Sequence, residues 1–181
     1  MFISRNLRQT NIVEYLLYMW QVEDLLRASQ LDIDKVTADV VDRYKLDDAG
    51  RAELVEWYAN LIEMMRMEHV AEKGHLQINR NVVIELTDLH LQLLRSPKFP
   101  YYQAAYYKAL PFIVEYRAKS TTVDASELES CLEALYGVWM LKLQHRELSA
   151  DTAKAMQSIT AFMGMLSDYY NQDRKGELKL D

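Results

Sequence analysis

Five glycines and three prolines are all the punctuation in a chain of 181 residues. Strands need turn-rich breaks and parallel sheets need glycine-bearing crossovers. A chain this poor in both must be built from long helices with short connections. No period of 30 to 50 residues recurs, which argues against a solenoid, and no linker or low-complexity tract interrupts the pattern. The expected fold is all-α: a single domain over residues 1–181, a bundle of about six to seven mostly antiparallel helices.

Charge and cysteine content narrow the function classes. The 27 acidic residues outnumber the 21 basic ones, for a net charge of −6, which argues against general binding to nucleic acid or to anionic membranes. The single cysteine, Cys131, rules out an intramolecular disulfide and suits a reducing compartment. It falls in an apolar stripe with Leu128, Leu132 and Leu135, as a small core residue does. Arg5 and Arg8 precede the apolar run 12–22, but Glu14 interrupts that run and no cleavage site follows it, so it does not read as a signal peptide. No stretch approaches the roughly 18 apolar residues that span a bilayer. A cytoplasmic protein without membrane insertion is expected.

The first helix is predicted over about residues 6–29. Ile12, Tyr15, Leu16, Met19, Val22 and Leu26 form one stripe, with Val13, Leu17 and Trp20 beside it; a helix apolar on most sides is a central one. Asp32 or Asp34 can cap a second helix reaching about residue 44. Asp47 or Asp48 caps a third that runs to about residue 73 and stops at Gly74. A fourth spans 78–95 and ends at Ser96-Pro97. The fifth opens at Pro100 and continues to about residue 119, with a kink or split expected at Pro111. Asp124 with Glu127 makes a capping-box-like start to the sixth, ending near residue 144. Ser149 caps the seventh, and the charged tail 171–181 is expected to fray. Gly137 and Gly164, each inside a predicted helix, suggest close crossing of the sixth and seventh helices. The nine methionines, Met64, Met65, Met67, Met156, Met163 and Met165 among them, read as fillers of irregular core gaps or as an adaptable groove.

Two stretches carry candidate chemistry. Glu68 and His69 continue the apolar stripes of the third helix, and Glu72 and His75 form a Glu-x-x-His pair, the spacing used by carboxylate di-iron bundles. A second such pair is absent, and Gly74 would end the helix between the two ligands. His90 lies on another apolar flank. In an antiparallel hairpin it sits eight residues, about 12 Å of helix, from His69, too far to share a metal. No metal or cofactor is therefore assigned. The competing account pairs Glu68 and Glu72 with Arg80 or Lys73 and makes His69 a hydrogen-bonded core histidine.

Residues 95–119 hold five basic residues (Arg95, Lys98, Lys108, Arg117, Lys119) against Glu115 alone, a local +4 that leaves −10 for the rest. Phe99, Tyr101, Tyr102, Tyr106, Tyr107, Phe112 and Tyr116 crowd the same stretch. Basic and aromatic residues interleaved in this way can grip a phosphate-bearing ligand or stack bases. Helical geometry spreads these rings over several directions, and tyrosine serves equally at packed interfaces. Lys98, Tyr101, Tyr102, Tyr106 and Tyr107 are the candidate partner surface.

No Gly-x-Gly-x-x-Gly, P-loop, Gly-x-Ser-x-Gly, His-Glu-x-x-His or metal-spaced cysteine pair occurs. The run Asn11-Ile-Val-Glu-Tyr-Leu-Leu-Tyr-Met-Trp-Gln-Val-Glu-Asp-Leu-Leu-Arg27 resembles a Bacteroidetes-type family of proteins grouped as a domain of unknown function. Gly74-His-Leu-Gln-Ile-Asn-Arg-Asn81 and Leu86-Thr-Asp-Leu-His-Leu-Gln-Leu-Leu94 are similar to the same family. That resemblance implies an all-helical, cytoplasmic bacterial protein and carries over no functional residue. The leading expectation is a non-enzymatic helical module that self-associates or binds a protein or small ligand. The competing one is an enzyme or ligand sensor with an inter-helix pocket around Glu68, His69 and Glu72.

Overall fold

A computed structural model describes residues 1–120 and 125–180, and among these every regular element is helical. In chain order they are α1 (Phe2–Thr10), α2 (Ile12–Ala28), α3 (Ile33–Asp39), a 3-10 turn (Val41–Arg43), α4 (Asp48–Met67), α5 (Gln77–Arg95), α6 (Pro100–Lys119), α7 (Glu127–Leu143) and α8 (Ala150–Arg174). Contacts divide the chain into two compact units, Met1–Asn6 with Tyr18–Asn81 and Leu7–Leu17 with Val82–Asp181. In the first, α3, the 3-10 turn and α4 pack together around Val36, Val41, Leu54, Ile62 and Met65. In the second, α6 packs most extensively on α8, and α7 touches both, around Tyr102, Ile113, Leu128, Leu132 and Phe162.

The structure has eight α-helices among the described residues, where six to seven were expected. The extra one comes from a break at Asn11. Its side-chain Oδ1 accepts from the Glu14 amide at 3.1 Å, the geometry of an N-cap, so the chain restarts a helix there. Ser167 on α8 braces the break. Its hydroxyl donates to Asn11 Oδ1 at 3.0 Å and accepts from the Ile12 amide at 3.1 Å, while Asn171 Nδ2 donates to the Thr10 carbonyl. A helix predicted straight through residue 11 carries no trace of a partner 156 residues away.

Other boundaries follow from capping chemistry. Asp32, Asp47 and Ser149 cap α3, α4 and α8 through backbone N–H groups two or three residues on. The second predicted helix stops early at Asp39 and continues only as the 3-10 turn to Arg43. Asp124 lies outside the described residues; the capping box of α7 is made by Ser126 and Glu129. α6 runs through Pro111 as one element, so the proline does not split it. Pro111 and Tyr107 both face solvent, where water can serve the carbonyl that proline leaves without a donor. Gly137 and Gly164 mark no close crossing: a methyl group at either would meet nothing within 4 Å. α8 extends to Arg174, into the charged tail, and Ser96 Oγ donates to the Leu180 carbonyl.

The largest departure is the end of α4. It stops at Met67, six residues short of the expected end, in a Schellman motif: the Val70 amide bonds Met65 O at 3.0 Å and the His69 amide bonds Arg66 O at 3.2 Å. His69 takes the left-handed position at φ +57° that glycine normally fills. The same motif ends α2 at Gln30 (φ +58°) and α7 at His145 (φ +54°), and only α8 uses a glycine, Gly176.

Candidate functional site

The early end of α4 turns residues 68–76 into a loop and redistributes the first candidate set. Glu68 becomes the C-cap, and its Oε2 accepts from the Gln77 amide at 2.6 Å, serving an otherwise orphan donor at the start of α5. His69 and Glu72 are exposed. His69 is therefore not a core histidine, and neither Glu68 nor Glu72 forms an ion pair among the described residues. Of the four, only His75 turns inward, and it does so alone.

What receives His75 is Glu23, a carboxyl group with no exposed surface. Its Oε2 lies 2.6 Å from His75 Nδ1, and its Oε1 accepts from the Leu76 amide at 3.0 Å and from Asn79 Nδ2 at 2.7 Å. Trp20, one turn earlier on α2, stacks on the His75 ring at 4.0 Å and 12°. Arg27, one turn later, donates to the carbonyls of Val70 and Gly74 and pairs with Asp24 at 2.8 Å. Trp20, Glu23 and Arg27 thus form one face of α2 that fastens the loop. Glu23 sits at the stripe position between Met19 and Leu26, so an acid on an apolar row is the sequence signal that would have found it. Burying a carboxyl group is costly unless donors surround it, and here three do. Among the described residues no three His, Cys, Asp or Glu side chains are placed to hold a metal ion. The chemistry visible in this cluster is that of a clasp.

The second candidate set divides cleanly. Tyr102 has no exposed surface, and its hydroxyl lies 2.7 Å from Nδ1 of the buried His90. Tyr106, also buried, donates to Glu127 Oε2 at 2.9 Å; Arg117 Nη1 stands 3.9 Å from the same carboxylate. Phe162 packs against His90, Tyr102 and Tyr106 with ring centroids about 5.5 Å apart. Burial pushes the Tyr102 hydroxyl well above its ordinary range and lowers His90. Burial, then the bond to Glu127, moves Tyr106 up to about 12. Burial also lifts the Cys131 thiol to about 12, which keeps it from acting as a thiolate. These groups stay neutral at physiological pH and hold α5, α6 and α7 in register.

Lys98, Tyr101, Tyr107 and Lys108 point outward, with Tyr101 82% and Tyr107 63% exposed. They border a feature the tyrosines alone did not reveal. Pro100, Ala104, Tyr107, Pro111, Val114 and Ala118 recur at steps of three and four, and every one is exposed. Proline and alanine carry little apolar bulk, so the row is visible only once the exposed face of α6 is known. Nearby, a groove of about 530 Å³ between α6 and the start of α8 is lined by residues including Phe112, Tyr116, Lys119, Ser149, Asp151 and Lys154; its charges are of mixed sign and select no ligand class.

A domain of unknown function, DUF4924, matches residues 1–177. The chain belongs to the DUF4924 family. The match takes in α1 to α8, both compact units, the Glu23 clasp and the α6 row. DUF4924 therefore describes the whole helical assembly, as the resemblance over residues 11–27 and 74–94 implied. No curated protein and no solved structure matches this DUF4924 chain.

Proposed function

We propose that this protein is a non-enzymatic helical interaction module of the bacterial cytoplasm, and that it engages its partner through the solvent-facing row of α6. The observation that carries the reading is the row itself. A surface helix normally turns polar residues to water, and here six consecutive face positions are Pro, Ala, Tyr, Pro, Val and Ala. Tyr107 and Val114, at 63% and 56% exposure, supply its large side chains. A contiguous exposed apolar strip with a polar rim is the composition of protein interfaces, and Lys98, Tyr101 and Lys108 provide that rim. No helix among the described residues is long and apolar enough to cross a membrane. The lone, buried Cys131 is compatible with a reducing compartment.

The test is in-cell photocrosslinking with p-benzoylphenylalanine replacing Tyr107, against the same replacement at the exposed Met67 on α4. A discrete crosslinked species at position 107 and none at position 67 is expected. Absence of any species specific to position 107 overturns the reading.

A further inference from the structure

The α6 row is fringed along one edge by few charges, and their pattern is complementary to itself. Lys108 and Glu115 lie seven residues, two helical turns, apart on the same edge of the row. Glu115 is the sole acid between residues 95 and 119. Lys108 forms no ion pair among the described residues, whereas Glu115 reaches only the exposed Lys119, one turn on. The apolar positions share the symmetry. Pro111 is central, Tyr107 and Val114 are the large residues on either side, and Ala104 and Ala118 are the small ones beyond.

We propose that α6 docks on α6 of a second copy of this chain, antiparallel, about a two-fold axis passing at Pro111. This rests on the reading of the α6 row as an interaction surface and names its occupant. A two-fold axis perpendicular to the plane of the two helices keeps each edge of the row beside the same edge of the other copy while reversing its direction. Position 108 then stands opposite position 114, within one residue of Glu115, and the Lys108–Glu115 pair forms twice. Ala104 opposes Ala118, and small residues at both ends allow the close helix approach, about 8–10 Å, that packed helices use. Each contact is repeated by symmetry, which is the signature of an isologous interface. An acidic partner helix would offer Lys108 a partner but set like charge against Glu115, which otherwise reaches only Lys119; a second copy sets each Lys108 beside the other copy's Glu115. One helix pair makes a small interface, so the dimer is weak, with a Kd on the order of micromolar.

Sedimentation equilibrium of the full chain up to about 100 µM should give a reversible dimer. Val114→Asp, which removes an exposed side chain and leaves the core alone, should give a monomer with unchanged thermal unfolding. Lys108→Glu should weaken the dimer at least about tenfold, and adding Glu115→Lys to it should restore much of the loss. Failure of the double variant to recover, or a dimer untouched by Val114→Asp, overturns the proposed pairing. A wild-type monomer at the highest concentration overturns it as well. In that case the crosslink at position 107 separates the two readings. Capture of a different protein leaves the interaction surface standing without a second copy, and no crosslink removes both.

Discussion

Glu23 Oε2 lies 2.6 Å from His75 Nδ1, with the carboxyl group wholly buried and its second oxygen accepting from Leu76 N and Asn79 Nδ2. One side chain of α2 thereby fixes the end of the α4–α5 loop and the first turn of α5. Glu23→Ala removes the acceptor from buried donors and should cost about 3 kcal/mol. Glu23→Gln, which keeps one carbonyl oxygen, should cost less. Urea midpoints at constant m-value give both numbers, and loss of exchange protection at the Leu76 amide would localise the damage.

His69 and Gly137 are residues in each other's natural places. His69 holds a left-handed helix end that favours glycine, and Gly137 sits exposed inside α7 with open space around it. His69→Gly and Gly137→Ala should each stabilise the fold, by about 0.5–1 kcal/mol. Thermal unfolding of the two single variants and the double variant should show additive gains. His69→Gly should also leave any partner binding intact, since the proposed contact residues all lie on α6.

Asn11 and Ser167 act as a unit. Ser167→Ala leaves the Ile12 amide without its acceptor, and Asn11→Ala removes the cap of α2; each should cost about 1–2 kcal/mol. Because both act on one break, the double variant should cost less than the sum, with a coupling energy of at least about 0.5 kcal/mol in a double-mutant cycle.

Stability should fall on both sides of neutrality. Tyr106 and Cys131 have folded pKa values near 12, above their ordinary values of 10.0 and 9.0. The unfolded chain releases those protons first, so this contribution is complete below about pH 9 and is lost as pH climbs towards 12. His90 is lowered by burial from 6.5. The unfolded chain therefore binds the proton more readily, and stability drops as pH falls below about 6.5. Urea midpoints between about pH 5 and 7.5 should lose that slope in His90→Gln, and a slope that survives would mean other groups set it.

The helices themselves were legible from apolar spacing and from capping residues such as Asp47, Ser149 and Pro100, because those rules act within a few residues. What was hidden depends on distant partners. The break at Asn11 is held by Ser167, and the inward turn of His75 is received by Glu23. The end of α4 was misplaced because Gly74 is the expected terminator, whereas backbone bonds from His69 and Val70 close the helix without a glycine. Tyr102 and Tyr106 could not be told from Tyr101 and Tyr107 until the core side of α6 was known. The apolar row of α6 went unseen for the same reason.

Cys131, on the buried face of α7 with its thiol pushed to about 12, has a practical consequence. To a thiol reagent at neutral pH the native fold presents no nucleophile at that position. A cysteine placed at Tyr107 or Val114 would take a spin label or fluorophore alone, with the natural residue left where it is. Distances between two such labels would then map how α6 meets whatever covers it, in a protein otherwise unaltered.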